Sequence, residues 1–89
     1  MLRIRYTKHA RHKFEVLRKH GFDVHPEQVE RTVREPERVV DEGGGIWIAQ
    51  RRITSRHVLR VVYRKEGDEV VVITFYPGRR RRYEGRVQS

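Results

Sequence analysis

The sequence predicts a small α+β domain: one strand, two helices, then a four-stranded antiparallel meander, with the helices packed on one face of the sheet. Three observations predict it. Apolar residues follow helical three-to-four spacing before Pro36 and alternate with period two after it. Glycines and prolines punctuate the pattern at Gly21, Pro26, Pro36 and Gly43-Gly44-Gly45. The loops between the later apolar runs are short, which forces neighbouring strands antiparallel.

Each element has its own local cause. Arg3 to Tyr6 alternates polar and apolar residues and reads as a first strand. Thr7 is a good N-cap for a helix over Lys8 to His20, whose apolar stripe is Ala10, Phe14 and Leu17. Gly21 stops that helix, as a glycine just past the last turn does. Pro26 suits a first helical position, Glu27 adds a favourable charge there, and Val29 and Val33 mark the buried stripe of the second helix. Pro36 ends it, because the residue before a proline avoids helical geometry. Four strands follow: Arg38 to Asp41, Ile46 to Ile53, His57 to Arg64 and Glu69 to Tyr76. The triple glycine joins the first two and Glu66-Gly67-Asp68 the last two. The triple glycine is not a phosphate-binding loop, since neither Lys-Ser/Thr nor a helix follows it.

Composition narrows the function. Eighty-nine residues make one domain, 1–89, with no room for a spacious cofactor fold, and no cofactor is expected. There is no cysteine, so neither disulfides nor a thiolate metal site is available. The charged start Met1-Leu2-Arg3-Ile4-Arg5 is unlike a signal peptide, and no apolar run approaches the ~20 residues of a membrane span. A cytoplasmic location without membrane contact is expected. So small a core also leaves room for stabilisation by a partner chain, a homodimer among the options.

Twenty-one Lys and Arg against twelve Asp and Glu give a net charge of +9, a field that attracts polyanions by counterion release. Adaptation to heat offers a non-functional account, because arginine dominates lysine and Met1 is the only methionine. The distribution favours function: Arg79, Arg80, Arg81, Arg82 and Arg86 crowd the C-terminal end, with Tyr83 interleaved. Within the strands, Leu59, Val61 and Tyr63 share one face, as do Val71, Ile73 and Phe75, and these sets form the expected core. The opposite face carries Val58, Arg60, Val62, Arg64, Val70, Val72, Thr74 and Tyr76, joined by Arg51 or Arg52 according to register. An open sheet face bearing arginine and tyrosine can stack and hydrogen-bond to a single-stranded nucleic acid.

Single residues have competing readings. Arg60 sits between Val58 and Val62, so placing it there is costly without a partner; a phosphate or a salt bridge to Glu69 or Glu15 would each answer. His9, at a helix start, suits either a base working at neutral pH or a packing residue between helix and sheet. His9 and His12 are three apart, but without supporting ligands no metal site is expected. His57 reads as a solvated edge residue, and Trp47 as an interface anchor or the closure of a core edge.

Several segments together resemble a known pattern: Tyr6-Thr7-Lys8-His9-Ala10, Lys13-Phe14, Glu35-Pro36-Glu37-Arg38-Val39, Leu59-Arg60-Val61-Val62-Tyr63 and Thr74-Phe75-Tyr76-Pro77, with Arg79 to Tyr83 behind them. They resemble small prokaryotic domains of unknown function allied to the RelE and BrnT ribonuclease toxins, over almost the whole chain. The resemblance implies a RelE-like fold and metal-independent cleavage of RNA, ribosome-bound mRNA included, by its own 2′-hydroxyl. Arg60 would stabilise the phosphate, and Tyr76 and Tyr83 would stack on a base or move a proton. Arg79 to Arg82 would hold the substrate backbone, while Arg51, Arg52 and Arg64 are further RNA contacts read from the basic sheet face. An acidic antitoxin protein would be the natural partner. No Glu-Arg-His set stands at the matching positions, which leaves the general base unassigned and keeps a non-catalytic RNA-binding or protein-interaction module open.

Overall fold

The structure, a computed structural model, describes residues 2–84. It is α+β, with a mixed five-stranded sheet of order β1-β5-β4-β3-β2. Strand β1 (Arg3–Tyr6) leads into α1 (Lys8–Lys19) and α2 (Pro26–Arg34). Strands β2 (Arg38–Gly43), β3 (Ile46–Arg52), β4 (His57–Glu66) and β5 (Glu69–Arg79) then pair antiparallel in succession. A single helical turn, α3 (Arg80–Tyr83), completes the described chain. Strand β1 lies parallel to the first part of β5, so the sheet is mixed. Among the described residues no helix is long and apolar enough to cross a membrane.

Local chemistry accounts for the boundaries. The Thr7 hydroxyl accepts from the Ala10 backbone N–H at 3.1 Å and starts α1. Gly21 takes φ +89° just beyond the helix, a conformation that favours glycine. Pro26 occupies the first turn of α2, where the Gln28 side chain accepts from the His25 backbone N–H at 2.8 Å. Gly44 and Gly45 turn the β2–β3 hairpin, and Gly67 turns the β4–β5 hairpin at φ +65°. Strand β5 runs past Tyr76 through Pro77 and Gly78. Proline is tolerated there because β1 pairs only with Glu69 to Val72, leaving the outer side of β5 free beyond them.

Helices α1 and α2 cover one face of the sheet. The core beneath them contains Ala10, Leu17, Val29, Val33, Ala49, Leu59, Val61, Tyr63 and Phe75. Phe14 packs its ring 4.5 Å from that of Phe75, and Trp47 closes an edge of this core. The phase of β5 departs from strict alternation. Val70 and Val72 join Phe75 in the core, whereas Val71 and Ile73 do not. The cause is a bulge: Val62 pairs with Thr74 but Tyr63 with Val72, which leaves Ile73 as the extra residue. Thr7 secures it. Its backbone N–H donates to the Val72 carbonyl and its hydroxyl to the Ile73 carbonyl, both at 3.0 Å. One threonine thus ends β1, caps α1 and satisfies the bulged carbonyl.

The third helix is a second departure. It packs over Gly78 and Arg60, on the face opposite α1 and α2, so the helical elements are not confined to one side. Thr7→Ala should cost about 1–2 kcal/mol in urea denaturation, since it removes the cap and the hydroxyl to the bulge together. Thr7→Ser should retain most of that stability.

Candidate nucleic-acid interface

Register builds the site. Leu59, Val61 and Tyr63 enter the core, so Val58, Arg60, Val62 and Arg64 of β4 emerge on the other face. Pairing then sets Arg38 opposite Gln50, Gln50 opposite Arg60, and Arg60 opposite Tyr76, a row across four strands. Arg60 is only 9% exposed. Its Nη1 donates to Gln50 Oε1 at 2.9 Å, and its Nε has no hydrogen-bond partner among the described residues. The guanidinium carbon lies 4.2 Å from the Tyr83 ring centroid and 5.9 Å from that of Tyr76. Neither carboxylate expected to pair with it does so. Glu69 binds Arg3 and Arg5, and Glu15 faces Arg18. Aromatic faces and one amide oxygen therefore stand where a counterion would be expected.

Helix α3 is latched over this row. The Tyr83 ring lies against Gly78 so closely that a Cβ there would overlap it. The Tyr83 carbonyl accepts from Arg38 Nη1 at 3.1 Å and from Gln50 Nε2 at 3.5 Å. At the start of the turn, Arg80 donates its backbone N–H to Arg56 O and its Nη1 to Ser55 O. Glu84 closes the latch, accepting from Arg52 Nε and Arg80 Nε at 2.7 Å each. Burial pushes the Glu84 carboxyl up, but hydrogen bonds from Arg52 and Arg80 outweigh it and hold it below the usual carboxylate range.

The expected site residues divide into groups. Arg60, Tyr76 and Tyr83 come together, the two tyrosine rings 6.4 Å apart. His9 approaches the same patch around the outer side of β5, its Nε2 3.1 Å from Thr74 Oγ1. Thr74 and Tyr76 are two apart on one strand face, so His9, Thr74, Tyr76 and Arg60 follow one another along the surface. Arg52 shares this face. Arg51 does not: it pairs with Leu59 on the core side, and its Nη1 donates to the Glu35 carbonyl at the end of α2. Of the two arginines expected on the open face according to register, Arg52 takes it, because strict alternation admits only one of two adjacent residues to a face.

The remaining arginines are unequal. Arg64 stands on the open face, bound to Glu66 at 2.6 Å, an interaction that holds the Glu66 carboxyl low. Arg80 is engaged in the latch, whereas Arg79, Arg81 and Arg82 are exposed and Arg82 Cζ lies 5.5 Å from the Tyr83 ring. Arg86 lies outside the described residues. His57 is no simple solvated edge, since its ring meets Phe22 edge-on at 5.1 Å.

Gln50, Arg38, Gly78 and Glu84 were missed as site residues, and Thr74 was placed on the open face without a role. Gln50 carried a usable signal, being a polar residue at an interior strand position in phase with Ile48.

The latch should respond to acid. A carboxyl held low contributes above its ordinary value of about 4.3, and that contribution is lost as pH falls through the native value. Ring-current shifts of the Arg60 side-chain protons, read by NMR, should persist at neutral pH and shrink under acid. Glu84→Gln should shrink them at neutral pH. Comparison of the chain with family models, curated proteins and solved structures finds no match.

Proposed function

We propose that this chain is a metal-independent endoribonuclease of the RelE-like toxin type, acting on RNA with its open sheet face. The placement of His9, Thr74, Tyr76 and Arg60 along one surface carries the reading. Cleavage by the 2′-hydroxyl needs a base, a cation at the phosphorane and an acid for the leaving 5′-oxygen. His9, oriented by the Thr74 hydroxyl, takes the 2′-hydroxyl proton as the 2′-oxygen bonds to phosphorus. Arg60 stabilises the added charge. Tyr76 donates a proton to the 5′-oxygen as its bond to phosphorus breaks, leaving a 2′,3′-cyclic phosphate and a free 5′-hydroxyl. Arg64, Arg81 and Arg82 hold the flanking backbone, whereas Arg79, paired with His57, points to the helical side. The same basic surface fits an acidic antitoxin, which the +9 charge would draw in quickly.

A second reading, a non-catalytic RNA-binding module, is favoured by one observation: the Arg60 guanidinium is already covered by Tyr83 and bonded to Gln50. End-labelled single-stranded and structured RNA, incubated with and without EDTA, separates the two. EDTA-resistant fragments ending in 2′,3′-cyclic phosphate are expected. His9→Asn, at an exposed position, should slow cleavage about 10²-fold or more while leaving the gel shift unchanged. Intact RNA that still shifts would select the binding module.

A further inference from the structure

We infer that the slot filled by Tyr83 is a nucleotide subsite that the chain occupies with its own side chain. Arg60 is the starting point. A guanidinium 9% exposed, with an unsatisfied Nε and no paired carboxylate among the described residues, is a cation built for an anion. The groups around it complete a receptor for a planar ring joined to acceptor oxygens. Gly78 gives a flat floor that only a residue without Cβ allows, since a Cβ would meet the Tyr83 ring. Tyr76 provides an aromatic wall, its ring 6.4 Å from that of Tyr83 and tilted by 59°. Arg38 Nη1 and Gln50 Nε2 converge on one carbonyl oxygen of Tyr83, so both donors are aimed at an acceptor beside the ring.

Tyr83 imitates both halves of a nucleotide here. Its ring takes the place of a base stacked on a guanidinium, and its carbonyl takes the place of a phosphate or base oxygen. The helical turn that carries it is held from outside the slot, by Glu84 between Arg52 and Arg80. Side-chain exposure is 56% for Arg52 but 28% for Arg80 and 18% for Glu84, so the Arg52 arm is the weak one, and the turn leaves once a ligand makes better contacts in the slot. Tyr83 is then an intramolecular competitor, and apparent affinity falls by the fraction of molecules with the slot open. The inference deepens the RNA-directed reading, on which its choice of ligand rests.

The test uses the full chain titrated with AMP, adenosine and inorganic phosphate, followed by NMR. Tyr83→Ala should bind AMP about tenfold more tightly than the parent, as expected if the slot is open about a tenth of the time. Adenosine and inorganic phosphate should each bind that variant more weakly than AMP. Adding Arg60→Met should abolish the gain. Glu84→Gln, which loosens the latch without entering the slot, should also tighten AMP binding. An unchanged or weaker affinity in a folded Tyr83→Ala variant overturns the inference. If that variant does not fold, an absent gain in Glu84→Gln overturns it. Inorganic phosphate binding as well as AMP overturns the nucleotide assignment. AMP binding that tightens in a protein that neither shifts nor cuts RNA supports the subsite and sinks the RNA reading. RNA cleavage without any AMP gain does the reverse.

Discussion

Burying a guanidinium away from carboxylates costs several kcal/mol unless other groups answer its charge, and the second face of this sheet is organised around that requirement at Arg60. The first face needs nothing unusual: two amphipathic helices lie on it and the core closes with valines, Leu59 and Phe75. The second face has no helical layer of that kind, yet Ile48, Val58 and Val71 are buried outside the main core cluster. What covers Arg60 is a single turn with one aromatic ring, pinned by ion pairs. That cover is one turn held by a short set of polar contacts, the most exposed of them at Arg52.

The two faces meet along β5. Its first residues are shielded by β1, while its later residues have a free outer side against which the start of α1 lies. Thr7 makes the junction by bonding to Val72 and Ile73, and the helix it caps carries His9 to Thr74. A folding device and a chemical group are therefore two residues apart in the chain. This proximity lets so short a chain gather histidine, tyrosine and arginine on one surface without a long loop.

Most of the elements were legible in the sequence, because caps, prolines and glycines act locally. Thr7, Gly21, Pro26 and the two glycine turns mark their boundaries without help from tertiary structure. The phase of β5 was not legible. In Glu69-Val70-Val71-Val72-Ile73 both alternating sets are apolar, so the pattern is silent until a bulge chooses. The third helix was hidden for a related reason. Arg80-Arg81-Arg82-Tyr83 has no apolar stripe, and its docking depends on Gly78, Arg52 and Arg56, whose nearness only the hairpins create. Arg60 stood out by its valine neighbours, but Gln50 became its partner through register and Tyr83 through the docking of α3.

The most direct measurement is a residue-resolved NMR titration of the protein with a short single-stranded RNA. Amide shifts are expected to concentrate on Arg38, Gln50, Arg60, Thr74 and Tyr76 and on the Arg80–Tyr83 turn, while α2 stays unperturbed. Shifts confined to the helical face, or no shifts at salt low enough to preserve phosphate contacts, would contradict that expectation.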